Sequence, residues 1–342
     1  MPHILPFPAS RLLPSLLAFP ALLSSCAGPA LAPPPPSRTF EFSMKAVLPA
    51  GPGLRGPVTL WLPAPVEEDA QELGPLRTFA RGGEIREGAD DLGNRFLSIR
   101  GTPEPGKPLL LGYRVRVRRY EVRKHRGGEE SGSQPKVDRW LAAPRLAPVE
   151  RVKREALFAT AGATSTLAKA RILYDKVVSE VAYEKPPGEG WGRGSLDWVC
   201  TNKYGNCSDF HTLFIAYNQS IGTPARFEIG FPLPPETSFA WKEIRGYHCW
   251  ACFFVPGFGW VPVDASEARK HPERKEFFFG GLTKDRIRLT RGRDLVLDPP
   301  QSGPPLNFFV YPYAECGGKD VSDRVRREIL FRDLGPPVGR KD

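Results

Sequence analysis

The ten residues Gly205-Asn206-Cys207-Ser208-Asp209-Phe210-His211-Thr212-Leu213-Phe214 constrain this chain more than any other stretch. Small and polar residues lead into a cysteine, and an apolar-periodic run follows it. Phe210, Leu213, Phe214 and Tyr217 recur at three- and four-residue spacing, which is one face of a helix. Gly222 ends that helix, and Thr223-Pro224 prevents its resumption. Cys207 is thereby placed at or just inside a helix N-terminus, where unpaired backbone N–H groups and the helix dipole favour thiolate over thiol. A thiol so placed is a candidate nucleophile, provided that a base is near.

The base is expected downstream. Gly246-Tyr247-His248-Cys249-Trp250-Ala251-Cys252-Phe253-Phe254-Val255 reads as a buried strand, Pro256-Gly257-Phe258-Gly259 as a turn, and Trp260-Val261-Pro262-Val263-Asp264 as the returning strand. The hairpin brings His248 and Asp264 toward each other. The chain order Cys207, His248, Asp264 then supplies what thiol catalysis needs: a base for the thiol proton and a carboxylate that orients the imidazole and stabilises its charged form. A core histidine and a turn aspartate are the bland readings of these two residues, and their joint occurrence with Cys207 disfavours both. Asp209 and His211 lie on the nucleophile helix and are expected in structural hydrogen bonds. His211, four residues from Cys207 on one helix, is too lateral to be the better base.

The runs GNCSDFHTLFIAYNQSIGTPARFEIGFPLP and YHCWACFFVPGFGWVPVDAS resemble the catalytic core of the bacterial transglutaminase-like superfamily. Its pattern is a Gly-x-Cys opening a helix, an Ile-Gly-x-Pro-Ala-Arg exit, a His-x-Trp strand and a Gly-Trp-x-x-x-Asp strand, and all four occur here in order. The resemblance spans roughly residues 195–266. It implies an α+β, papain-like core and acyl-transfer chemistry through a thioester on Cys207, and it carries over Cys207, His248 and Asp264 alone. By analogy with papain-like enzymes, the oxyanion would rest on the backbone N–H of Cys207 and on a side chain just upstream. Asn202 is the candidate, with Trp198, Tyr204 and Asn206 as competitors. No metal and no organic cofactor is implied.

The rest of the chain frames this core. A length of 342 residues favours two domains. Residues 1–25 read as an export signal, with an apolar stretch from Ile4 to Ala21 ending in small residues. Leu23-Ser24-Ser25-Cys26 resembles a bacterial lipobox, which makes Cys26 a lipid-attachment candidate and residues 26–37, with Pro33 to Pro36, a stiff tether. Residues 38–123 alternate as short strands punctuated by Gly and Pro, the pattern of a small antiparallel β-sandwich accessory domain. Residues 124–149 read as a linker, 150–316 as the catalytic core with a helix near Thr166 to Tyr183, and 317–342 as a basic, frayed C-terminal tail. The net charge of +10 is dispersed along the chain, which disfavours nucleic acid and suits anionic envelope polymers or lipid headgroups. No later stretch is apolar for long enough to span a bilayer.

Beyond Cys26, five cysteines remain, so at least one thiol is free in an exported chain. This agrees with Cys207 as the nucleophile; the pairing of Cys200, Cys249, Cys252 and Cys316 is open. Cys249 and Cys252 point to opposite faces of a strand and do not easily share one metal. The expected function is a thiol-dependent peptidase, amidase or transglutaminase acting on peptide or protein substrates, such as cell-wall peptide, in the envelope. The alternative is a non-catalytic envelope protein that binds an extended peptide in the same groove.

Overall fold

In β1 (Ser37–Leu48) every second side chain, Phe40, Phe42, Met44, Ala46 and Leu48, is fully buried, as the alternation predicts. The computed structural model describes residues 35–123 and 137–335, together with Met1 and His3. The export signal, the lipobox cysteine Cys26, most of the tether, residues 124–136 of the expected linker and residues 336–342 lie outside the described residues.

After β1 come β2 (Val58–Ala64), β3 (Gln71–Leu73), β4 (Arg77–Arg81), β5 (Arg86–Ala89), β6 (Arg95–Gly101) and β7 (Leu109–Tyr120). Four helices follow: α1 (Glu150–Ala159), α2 (Thr166–Glu180), α3 (Leu196–Asn202) and α4 (Cys207–Ser220). The chain continues through β8 (Ala225–Pro232), β9 (Lys242–Glu243), β10 (His248–Val255), β11 (Gly259–Val263), α5 (Ala265–Lys270) and β12 (Arg286–Arg291). It closes with β13 (Tyr313–Cys316), β14 (Lys319–Asp320) and β15 (Arg326–Asp333). The antiparallel order β11-β10-β8-β12 makes the sheet against which α4 packs.

Two further antiparallel sheets make up the β-region, as the Gly/Pro punctuation predicts. One runs β3-β7-β1-β15-β9 with β4 also on β7, and the other runs β14-β13-β2-β6-β5. The Tyr113 hydroxyl crosses between them to the Pro63 carbonyl at 2.9 Å. Both sheets are completed by the C-terminal chain, which corrects the expectation of a frayed tail from residue 317 onward. Within β15, Ile329 and Phe331 alternate into the core, and eight residues from Arg326 to Asp333 pair with β1. The charged side chains flanking them, with Leu330 between, masked that period. The segments at 294–297 and 308–312 run as irregular chain, with Leu295 in an isolated bridge to Leu306.

α4 is buried on every side, more than one apolar face required. Its buried amides find acceptors for their N–H groups: Asn218 donates to the Phe214 carbonyl at 2.9 Å, and Gln219 donates to the carbonyls of Trp140 and Ala225 at 2.8 and 3.1 Å. Gly222, at φ +82°, lets the chain leave the helix in a left-handed conformation.

Arg38 clips the two ends of the described chain together. It donates to both carboxylate oxygens of Asp333, at 2.7 and 2.9 Å, and to Asp285 at 2.8 Å. Burial would raise the Asp333 carboxyl, but the hydrogen bonds and charge of Arg38 hold it below its ordinary value. A depressed folded-state pKa stabilises above the unfolded value and loses that contribution as pH falls through the folded one. Arg38→Met, which strands a buried carboxylate, is expected to cost about 3 kcal/mol at neutral pH. Denaturant unfolding should show the gap from wild type widest at neutral pH and narrowing in acid.

Candidate active site

The site begins with the cap of α4. Asn206 accepts the Ser208 N–H at 2.9 Å, while the Asp209 carboxylate reaches back to the Asn206 N–H at 2.9 Å, a reciprocal capping box. Asp209 also accepts the Gly194 N–H at 2.7 Å, tying the 188–194 loop to the helix start. The approach is so close that a Cβ on Gly205 would lie 2.4 Å from the Asp209 Cβ. Cys207 is the first helical residue, and its N–H lies ahead of the intrahelical ladder.

His248 opens β10, and Asp264 follows β11 as the N-cap of α5, accepting the Glu267 N–H at 3.2 Å. The carboxylate is thus one step past the strand on which it was expected. His248 Nε2 lies 2.8 Å from Asp264 Oδ2. A carboxylate can only accept, so Nε2 carries the proton and Nδ1 is left for Cys207. Arg286 donates to the same Oδ2 at 3.0 Å, and Ser266 donates to Oδ1 at 3.1 Å. Asp264 is fully buried; burial would raise its carboxyl, but His248 and Arg286 hold it well below the carboxylate range.

The electrostatics favour a thiolate–imidazolium pair. A hydrogen bond from the Cys249 thiol pulls Cys207 down; burial opposes it, and the hydrogen bond to His248 and its charge carry the thiol to about 5. Burial lowers His248, but the charge of Asp264 and the hydrogen bonds to Asp264 and Cys207 raise it to about 9. Burial and the neighbouring thiolate push Cys249 well above the ordinary thiol range, so it remains a donor.

His211 is not the base. Its Nε2 accepts the Ala265 N–H at 3.1 Å, and its Nδ1 lies 3.5 Å from the Cys249 sulfur. Burial takes it to about 4, so it is a neutral brace between α4 and α5. Asn202, the expected second oxyanion donor, is committed elsewhere. It is exposed at the end of α3, and its amide turns back to the Trp198 carbonyl at 2.9 Å, as a polar side chain in a last turn readily does. Among its competitors, Trp198 has a buried indole N–H with no acceptor among the described residues.

His248, Asp264 and Glu267 lie close enough together to suggest a metal site. Each oxygen of Asp264 already accepts two hydrogen bonds, one of them from a guanidinium, so the set is arranged for an imidazolium rather than a cation. All five described cysteines are free thiols, and Cys249 and Cys252 do face opposite sides of β10: one meets His211, the other packs with Trp250 and Trp260. Arg286, Glu267 and Cys249 are the site residues that motif spacing did not single out.

No helix among the described residues is long and apolar enough to cross a membrane. The model of the transglutaminase-like superfamily matches residues 154–265. The structure is similar to that of a candidate cysteine protease from Cytophaga hutchinsonii, with a TM-score of 0.59 at 14% identity, over 89% of this chain and 93% of that one. The periplasmic domain of TgpA from Pseudomonas aeruginosa matches at a TM-score of 0.36 and 19% identity, over 69% of this chain and 90% of that one. A Haemophilus influenzae protein is 28% identical over 199 residues, 49% of this chain and 53% of its own length, so the chain spans about half of that relative. The α4 cysteine, the β10 histidine and the aspartate after β11 all lie within the matched residues, so the segment 154–265 carries a transglutaminase-like core.

Proposed function

We propose that the chain is a thiol-dependent acyl-transfer enzyme, acting on peptide or protein carboxamides in the cell envelope and held there by a lipid on Cys26. The observation that carries this is a helix-opening thiol beside an imidazole whose other nitrogen lies 2.8 Å from a buried carboxylate. The Cys207 thiolate attacks the carbonyl carbon to form a C–S bond. Collapse breaks the C–N bond, and the departing amine takes the Nδ1 proton of His248. His248 then draws a proton from water, which cleaves the thioester and regenerates the thiol. An amine in place of water would give a cross-link. Hydrolysis, as peptidase or amidase, is the favoured outcome, with cell-wall peptide as the natural candidate substrate.

Alkylation of Cys207 by iodoacetamide against pH, with the peptide identified by mass spectrometry, tests the ion pair. At pH 6 a thiol at about 5 is ~300-fold richer in thiolate than an ordinary one, while its intrinsic nucleophilicity is ~40-fold lower. His248→Ala should therefore slow alkylation roughly tenfold at pH 6. Equal rates in the two proteins would defeat the reading.

Asp264→Asn removes the charge that holds the imidazolium. His248 should then deprotonate below its value of about 9, and the Cys207 midpoint should climb from about 5 toward the ordinary thiol range. The window in which thiolate and imidazolium coexist narrows from both sides. A pH–rate profile unchanged in this variant would remove Asp264 from the site.

A further inference from the structure

β15 brings a cation to the edge of the site. Arg327 stands opposite Ala46 on β1, on the same side of the strand as Ile329 and Phe331, which face the core. It lies near the end of the strand and is exposed; its guanidinium lies 3.9 Å from the centre of the Tyr311 ring. Tyr311 packs edge-on to Tyr247 at 6.0 Å, and the Tyr247 hydroxyl is 3.4 Å from the Asn206 amide. Tyr247 precedes His248, and Asn206 caps the helix that Cys207 opens. A continuous wall therefore leads from the nucleophile to Arg327.

That guanidinium has no carboxylate partner among the described residues. Elsewhere on the strand, Glu328 pairs with Lys45 at 2.8 Å and Arg332 with Glu41 at 2.6 Å. Two other cations stacked on aromatic rings of this site are already neutralised: Lys270 over Tyr183 by Glu267, and Arg286 over Trp250 by Asp264. Stacking on Tyr311 fixes the plane of Arg327 and leaves its N–H edge free for a planar anion.

We propose that Arg327 forms a carboxylate-binding subsite at the edge of the Cys207 site, two aromatic rings from the helix cap, so that preferred acyl donors carry a carboxylate on that side of the reacting carbonyl. That carboxylate belongs either to an acidic side chain or to a chain terminus. The proposal rests on the reading of Cys207 as a reactive thiolate.

The test compares alkylation of Cys207 by iodoacetate and by iodoacetamide, which differ by one carboxylate, in wild type, Arg327→Gln and Arg327→Lys. The iodoacetate-to-iodoacetamide rate ratio should fall about threefold or more in Arg327→Gln, and be partly restored in Arg327→Lys, at low salt. The iodoacetamide rate, unchanged among the three, reports an intact site. A ratio that is the same in all three proteins overturns the subsite alone, whereas slow alkylation by both reagents in wild type overturns the functional reading beneath it. Acetyl-glutamate amide and acetylglycine, added as competitors, distinguish the two sources. The one that slows wild-type alkylation but not that of Arg327→Gln names the group, and protection by neither also overturns the proposal.

Discussion

The buried carboxylate of Asp264 is the point on which the rest of the site depends. Its two oxygens receive His248, Arg286, Ser266 and the Glu267 N–H, so one side chain joins the start of β10, the edge strand β12 and the first turn of α5. A fully buried charge is tolerable only when paired and hydrogen-bonded on every side. That demand fixes the imidazole more firmly than hydrophobic packing could, since a His ring on a strand end has room to turn. The neutral His211, bonded to Ala265 and set against Cys249, braces the same junction from the α4 side.

The nucleophile is held by a second and independent device. Asp209 uses one oxygen to close the cap of its own helix and the other to hold the preceding loop at Gly194. Burial raises this carboxyl to about 6 against the N–H groups that it accepts. The helix start therefore cannot move without releasing the loop. Because α4 is packed on all sides by α1, α2, α3, α5, β8 and β10, the thiol presented at its end is positioned by the whole core.

Much of this was legible in the chain. Cys207 follows from a cap signal joined to a helical period, and His248 from its place at the head of a buried strand. Both depend on local pattern, which sequence carries well. What was not legible depends on contacts made at long separation. Arg286 reads as one more basic residue in a strand, and nothing in its spacing says that it meets Asp264. Asn202 has the right chemistry and sequence position, but the last turn of α3 offers its amide a nearer acceptor at Trp198. The full burial of α4 was not legible either, because the acceptors that Gln219 meets, at Trp140 and Ala225, belong to other elements. β15 read as a tail because Arg326, Arg327, Glu328, Arg332 and Asp333 outnumber the two apolar residues that set its period.

The shared oxygen of Asp264 also bears on how the pair could turn over. A carboxylate bonded to His248 alone would place its full charge on the imidazolium, and a group that holds its proton too tightly serves a leaving amine poorly. Arg286, 3.0 Å from the same Oδ2, draws on part of that negative charge. Trp250 lies under the guanidinium at 4.8 Å and confines it there. Burial lowers His248 against the pull of Asp264 and Cys207 and leaves it at about 9, high enough to be charged at neutral pH. The contacts that keep the aspartate ionised in the core thus also hold the imidazole ring in place.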